Sequence, residues 1–566
     1  MKKIWQISSQ INKGLKNKFP KINPVVLQIL FNRDIKTKKE IEKFLFPNYK
    51  SGLYSPFLFR DMKKAVNRIV KAVKNKERVV ICTDSDTDGA TAGALMFKTL
   101  KKIGVKDLDI YSAEREKQYG LSEEIIKKQL DLKTNLIITC DSGISDYNEI
   151  KKAQKQGIDV IVTDHHVEPL KLPPAFAILN PKVENDDYPF KHLAGVGVAF
   201  KLAQALLSDK RLKIKNNKAI EKWLLDLVAI GTIVDHMPII DENRNLVHFG
   251  LIVLNQTSNL GLRKLFKNIN LTLGSIKGED LAFRVGPRLN VPGRIGYSNE
   301  SLNLLLDNDP LSVDKKVERL EMLNKKRQDL VKEYLKKIVK KIGKNPKDNI
   351  LVVEDNLESG LLGLIAMRLV EKYNRPSIVL SPKEKNVKGS GRAAKGFNFL
   401  QVLKNINKEY FFDLGGHKRA LGFTLKPEFL KVFKKELRKT EKFLFKKEKP
   451  KLKIDIEMDL GDIDWSLIEG LDSLRPFGVH NPKPLFATKN LSLSNFTKVG
   501  KNGNHNKLLV RDENSGDFSK MIYFSSSKVM KDYKKGDKVD IAYRLGTNIW
   551  NGQKEIQMTV VDIKKS

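Results

Sequence analysis

Four short stretches carry residues able to do chemistry: Asp84-Ser85-Asp86-Thr87-Asp88-Gly89, Asp141-Ser142-Gly143, Asp164-His165-His166 and Asp235-His236. Brought together, Asp86, Asp88, Asp141 and Asp235 would repel one another unless cations sat between them, because neighbouring carboxylates cannot all ionise cheaply. The imidazoles of His165 and His166 complete a set of six oxygen and nitrogen donors without a thiolate, which favours manganese or magnesium over structural zinc. Six donors exceed what one catalytic ion needs while leaving positions open for water and substrate, so two ions are the natural count. Two ions about 4 Å apart activate a water and stabilise both oxygens of an in-line displacement at phosphorus. The implied reaction class is hydrolytic phosphoryl transfer. A single-ion site, with the surplus aspartates as caps, is the alternative.

The elements that must position these groups are legible around them. Val79–Thr83, Leu136–Cys140 and Ile158–Thr163 are apolar runs of strand character, each ending in one acidic stretch. Ala65, Val66, Ile69, Val70 and Val73 recur at helical spacing before the first of them. This alternation predicts a parallel sheet covered by helices, and such sheets bind ligands at the carboxyl ends of their strands. Asp235 follows the apolar helix Leu224 to Ile233. Arg115 and Tyr119 stand in a loop where they either grip a phosphate and stack on a base or cap a helix. The glycines of Leu193 to Phe200 either pack a helix on the sheet or bind an anion.

Beyond residue 250, Arg284, Arg288 and Arg294 fall in a Gly/Pro-rich stretch that is expected to be an irregular loop: a phosphate clamp or a charged surface turn. An amphipathic stretch from Val313 to Ile342 predicts one long helix joining two lobes. A second α/β unit begins at Ile350 and carries Gly389-Ser390-Gly391-Arg392, expected in a loop, and Gly415-Gly416-His417, Gly-rich motifs of the kind that cradle phosphate through backbone N–H groups. After a lysine-rich linker, short alternating segments such as Lys507 to Val510, Lys538 to Tyr543 and Glu555 to Val561 predict a small β-barrel. The expected division is a helical lead-in at 1–55, a first α/β domain at 56–250, the Arg-rich region with the long helix at 251–345, a second α/β domain at 346–446 and a barrel at 447–566.

Composition narrows the partners. A formal charge of +37 over 566 residues points to a polyanion such as nucleic acid, although a lysine bias spread along the chain would produce the same number. Only Cys82 and Cys140 occur, which excludes a disulfide framework and a cysteine zinc finger and fits a reducing, cytoplasmic setting. The basic start lacks an apolar segment long enough for a signal peptide, and no run approaches a membrane span.

Together these motifs resemble the DHH phosphoesterase superfamily and, within it, the RecJ single-strand-specific exonucleases. Leu193 to Phe200, Arg284 to Arg294, Leu323-Asn324 with Arg327-Gln328, Gly415-Gly416-His417 and Leu474-Arg475-Pro476-Phe477-Gly478 carry the likeness jointly, over nearly the whole chain. The resemblance implies that Asp86, Asp88, Asp141, His165, His166 and Asp235 ligate two divalent ions, manganese preferred and magnesium possible, with Asp164 orienting the imidazoles. It implies that Arg115, Tyr119, Arg288, Asn290 and Arg294 hold the terminal nucleotide and its phosphates. Ser390, Arg392, Gly415, Gly416 and His417 would face substrate from a DHH-associated domain, and the barrel would be an OB-fold. The implied activity is 5′-to-3′ degradation of single-stranded DNA in repair and recombination, by a monomer with a helicase and a single-strand-binding protein as partners. A phosphodiesterase for cyclic dinucleotides or short RNA, and a silent DNA-binding scaffold, are the alternatives. The sequence departs from the usual first motif, His-Gly-Asp-Tyr-Asp-x-Asp-Gly, at three positions: Cys82-Thr83 replace His-Gly and Ser85 replaces Tyr. Cys140 precedes Asp141 where the more familiar order has Cys after the Asp, and His236 stands where an apolar residue is common. Cys82 is expected to be buried and not a ligand.

Overall fold

The computed structural model describes residues 3–113, 120–297, 299–404, 406–444, 450–550 and 553–566. The chain divides into two compact units, one of residues 1–52, 238–241 and 449–566, the other of residues 53–237 and 242–448.

The larger unit is built on a parallel sheet of β1 (Val79–Thr83), β2 (Leu108–Ser112), β3 (Leu136–Cys140), β4 (Asp159–Thr163) and β5 (Ala177–Leu179) in the order β2-β1-β3-β4-β5. β1 and β3 are buried along their whole length, as strands covered by helices on both faces must be. The strand order reverses between β1 and β3, which opens a crevice at their carboxyl ends. Helix α1 (Thr87–Lys102) follows β1 and lies close on it: a side chain at Gly93 would stand 2.3 Å from Thr83. Helices α2 (Gly195–Ser208) and α3 (Leu225–Val234) pack against α1.

The stretch expected as an irregular Arg-rich loop is instead helical. Leu281–Val285 forms a π turn, Gly286–Leu289 an α turn and Pro292–Arg294 a 3₁₀ turn. Glycine and proline signalled a break, yet Pro287 and Pro292 sit at turn starts, where their missing N–H is harmless. The long helix α4 (Pro310–Ile342) starts three residues before its expected boundary, with Asp309 capping it through Ser312 N at 2.7 Å. It leads to a mixed sheet of β6 (Leu351–Glu354), β7 (Ser377–Ser381), β8 (Val387–Arg392), β9 (Phe411–His417) and β10 (Ala420–Leu425), ordered β9-β10-β8-β7-β6. Helix α5 (Leu362–Tyr373) packs on β7 and β8. Gly389-Ser390-Gly391-Arg392 therefore lies in a strand rather than a loop, and so does Gly415-Gly416-His417.

The smaller unit holds a closed barrel of β11 (Phe486–Val499), β12 (His505–Asp512), β13 (Phe518–Tyr523), β14 (Lys538–Trp550) and β15 (Gln553–Lys565), paired in the ring β11-β12-β13-β15-β14 with β14 returning to β11. β13 and β15 run parallel and the other neighbours antiparallel, the connectivity of an OB-fold. The N-terminal segment is not helical throughout. Its strand Ile4–Ile7 pairs in parallel with Lys451–Ile454, and Val26, Leu27, Ile29 and Leu30 join the barrel's apolar core. A four-residue strand with a partner some 450 residues away leaves no periodic trace in sequence. Among the described residues no helix is long and apolar enough to cross a membrane.

Candidate metal centre

The parallel ladder continues one residue past three strand ends and sets the acidic groups side by side. Asp84 N donates to Cys140 O at 3.3 Å, Asp141 N to Thr163 O at 2.9 Å and Asp164 N to Leu179 O at 3.0 Å. Asp86 caps α1, its Oδ1 accepting from the N–H groups of Asp88 and Gly89 at 2.9 and 3.2 Å. Asp88 is buried and gripped by the start of α2, with Gly195 N on Oδ2 at 2.7 Å and Val196 N on Oδ1 at 2.9 Å. The glycines of that motif thus both pack a helix and bind an anion, and the anion is the protein's own carboxylate. A side chain at Gly195 would meet Asp141 Oδ1 at 2.4 Å, and one at Gly231 would meet Asp88 Oδ1 at 2.7 Å. Asp235 closes the group from the end of α3.

His165 is the pivot. Its Nδ1–H donates to Leu193 O at 3.1 Å, which leaves a lone pair on Nε2. Nε2 lies 3.1 Å from Asp141 Oδ1, 3.7 Å from Asp235 Oδ2 and 3.8 Å from Asp88 Oδ2. Burial, then the charge of His166, pulls the His165 pKa down to about 3, so the ring is neutral and faces three acceptors with a fourth. Asp141 Oδ1 is buried and receives no hydrogen bond from the described residues. Burial, then the charge of Asp88, pushes the carboxyls of Asp141 and Asp235 well above the ordinary range; burial, then Asp86, pushes Asp88 up to about 7. The lone pair of His165 Nε2 converging with carboxylate oxygens of Asp141, Asp235 and Asp88 fits a cation, and the oxygen and imidazole ligand atoms suit a hard divalent one.

Among the described residues, three groupings have ligand atoms within 4.8 Å of one another: Asp141 with His165 and His166, Asp88 with His165 and Asp235, and Asp84 with Asp86 and Asp141. Every residue expected as a ligand therefore enters a grouping, and Asp84 joins them. Asp84 stood in the same acidic stretch, and nothing in the spacing separated it from its neighbours. Cys82 is buried among Val80, Ile137 and Val160, and burial pushes its thiol up to about 12.

Asp164 is fully buried and holds one imidazole rather than both. Oδ1 accepts from His165 N, His166 N and His166 Nδ1 at 2.7, 3.1 and 2.8 Å, and Oδ2 from Ile144 N at 3.0 Å. The His165 ring is oriented by the Leu193 carbonyl instead. Burial alone would lower His166, but the hydrogen bond and charge of Asp164 carry it up to about 9; in turn His166 holds Asp164 down to about 2 against the effect of burial. Buried Asn180 ties this corner to the next loop, donating to His166 O at 2.9 Å and accepting from Lys182 N at 2.9 Å. Burial lowers the Lys182 ammonium, while the charges of Asp235, Asp164 and Asp141 oppose that shift.

The expected nucleotide contacts divide. Arg115 and Tyr119 lie outside the described residues. Arg288 is committed inside the fold, paired with Glu321 and donating to Arg284 O at 2.7 Å. Asn290 Oδ1 accepts from Thr87 N and Thr87 Oγ1, both at 2.8 Å. The Arg294 backbone presses on Gly360, where a side chain would meet its carbonyl at 2.2 Å. Ser390 and Arg392 share one face of β8 and bond each other at 3.0 Å, while Gly389 and Gly391 give room to Phe423 and Phe399. Those two glycines serve packing, not a phosphate cradle. Gly415 has open space over its backbone, and Gly416 takes φ +155°. The pKa of His417, at the end of β9, is lowered by burial and by the charges of Lys182 and His166.

Comparison with known proteins extends along the chain. Family models match at residues 78–232 (DHH family, N-terminal domain), 347–442 (DHHA1 domain) and 454–562 (RecJ OB domain). The single-stranded-DNA-specific exonuclease RecJ of Bacillus subtilis is 34% identical over 548 residues, 96% of this chain and 68% of that protein. RecJ of Haemophilus influenzae is 29% identical, over 95% and 96% of the two chains. The crystal structure of RecJ in complex with Mn2+ from Thermus thermophilus superposes with a TM-score of 0.84 at 25% identity, over 100% of this chain and 80% of that one.

Proposed function

The chain belongs to the RecJ family of single-stranded-DNA-specific exonucleases, and on that footing we propose that it removes nucleotides from the 5′ end of single-stranded DNA, using two divalent ions held at the strand ends of the parallel sheet. It is a phosphodiester hydrolase that binds divalent metal and acts on single-stranded DNA. The finer assignment takes Asp86, Asp88, Asp141, His165, His166 and Asp235 as ligands, with Asp84 beside them, and prefers manganese to magnesium. One observation carries it: the neutral His165 aims a lone pair at three carboxylates 3.1 to 3.8 Å away.

When bound, the ions supply Lewis acidity that makes a water nucleophilic near neutral pH and offset charge on the phosphate. The chain's own residues hold that place. The start of α2 fixes Asp88, and Leu193 O fixes the tautomer of His165. Asp164 fixes His166 through Nδ1 and leaves Nε2 for the ligand sphere or the phosphate. Arg294, Ser390, Arg392, Gly415, Gly416 and His417, with Arg115 and Tyr119, are assigned to the substrate side. Arg288 serves the fold through Glu321. The barrel is assigned as a platform for the strand, as OB-folds offer. A role in repair and recombination, in the cytoplasm, as a monomer beside a helicase and a single-strand-binding protein, completes the proposal.

The test sets 5′-labelled and 3′-labelled single strands, duplex DNA and cyclic di-AMP side by side with Mn2+. Immediate release of the 5′ label as a mononucleotide, with duplex and cyclic dinucleotide intact, is the expected result. Prior release of the 3′ label overturns the polarity, and turnover of the cyclic dinucleotide in its place overturns the substrate.

A further inference from the structure

Thr87 lies between two proposed ligands, Asp86 and Asp88, in the first turn of α1. The first N–H groups of a helix have no partner within it. Asp86 covers those of Asp88 and Gly89, and that of Thr87 is covered from 203 residues away by Asn290 Oδ1, which takes the Thr87 hydroxyl as well. Three residues on, the chain presses its backbone onto the same loop, since a side chain at Gly293 would stand 2.5 Å from Ser85 O. Asn299 then accepts from Ser112 N at 3.0 Å, at the end of the neighbouring strand β2. The same segment abuts the lobe of the second α/β sheet, where Gly360 leaves no room for a side chain against the Arg294 carbonyl.

We propose that Asn290 is a positioning residue of the metal loop rather than a nucleotide contact: with Gly293 it clamps Ser85-Asp86-Thr87-Asp88 in the geometry that binds divalent cations. With Thr87 held at both N and Oγ1, the backbone between the two carboxylates cannot rotate. Their spacing is set before an ion arrives.

The inference rests on Asp86 and Asp88 being ligands. It is tested in the full-length chain by Mn2+ binding, followed through the electron paramagnetic resonance of free Mn2+, and by single-strand affinity in EDTA. Asn290→Leu, which keeps the branched shape and removes the acceptor, is expected to weaken Mn2+ binding about tenfold, as loss of an outer partner of a metal ligand does. Single-strand affinity stays within twofold, and Asn290→Asp, which keeps the acceptor, restores the ion. Thr87→Val, which deletes the hydroxyl half of the clamp in an isosteric side chain, gives the same sign more weakly and serves if Asn290→Leu does not fold. Unchanged Mn2+ binding in Asn290→Leu or Thr87→Val overturns the clamp, as does a loss of single-strand affinity with the ion retained. Absence of Mn2+ uptake by the unsubstituted chain removes the metal-site reading itself, and the clamp with it.

Discussion

Replacing Asp141 by Asn separates what this carboxylate does for the ion from what it does to the fold. Asp141 Oδ1 is buried without a donor among the described residues, 3.1 Å from His165 Nε2. Where Asp141 is ionised, an amide nitrogen in that place donates to Nε2 and converts repulsion into a hydrogen bond, a net gain of about 0.5–1.5 kcal/mol. The substitution also removes a negative charge within 4.8 Å of Asp84 and Asp86. At an effective dielectric of about 20, one such like-charge pair amounts to roughly 3 kcal/mol. Asp141 escapes part of that by keeping a proton, since burial and Asp88 hold its pKa well above the ordinary range. The gain therefore grows with pH: it is small in acid, where a protonated Asp141 itself donates to Nε2, and reaches about 2–4 kcal/mol once the carboxyl is ionised. The backbone favours the change too, because Asp141 has φ +61°, a region Asn tolerates well. In EDTA at pH 8 the Asn variant should melt on the order of 5 °C above the unsubstituted chain. It should gain nothing from Mn2+ and have no nuclease activity. A variant that melts lower in EDTA, or that Mn2+ still stabilises fully, refutes the reasoning.

Three further outcomes follow from the same geometry. Asp88 stands at about 7 in the fold against an ordinary 3.8, so the metal-free chain holds an extra proton between those values and loses stability as pH rises through 7. His166, raised from 6.5 to about 9, acts in the same sense, its contribution present below 6.5 and lost through 9, whereas His165, lowered to about 3, favours the fold increasingly from pH 3 to 6.5. Mn2+ must displace the Asp88 proton, so calorimetry should find its affinity falling at least about tenfold per pH unit below 7, with protons released into the buffer. Asp164→Asn leaves a buried N–H unpaired at about 1–3 kcal/mol. The fold should survive, with the His166 titration seen by NMR falling from about 9 and Mn2+ affinity dropping about tenfold or more. Cys82→Ala should cost about 1 kcal/mol of packing, as removal of one buried atom group does, and leave Mn2+ occupancy unchanged; a drop in occupancy would make Cys82 part of the metal's surroundings.

The centre was legible in the sequence because its parts are local. An apolar run fixes a buried strand, a parallel ladder fixes its end, and Asp84 to Asp88, Asp141 and Asp164 to His166 are the residues next in line. What the sequence could not supply was the partner of each polar group. Arg288 and Asn290 have the chemistry of phosphate ligands, and only the packing of α4 and α1 reveals Glu321 and Thr87 in their grasp. Gly389 and Gly391 look like a cradle until Phe423 and Phe399 occupy the room they leave. Asp164 sits two residues from one imidazole and one from the other, and the choice between them is made by Leu193, 28 residues downstream of His165. The strand at Ile4–Ile7 was invisible for the same reason, since its partner at Lys451–Ile454 is remote and both are short.

The most direct measurement is the anomalous scattering of manganese in crystals of the full chain grown with Mn2+. Two peaks about 4 Å apart, bounded by Asp86, Asp88, Asp141, His165, His166 and Asp235, are the expected result. A single peak, or peaks away from the ends of β1, β3 and β4, would contradict it.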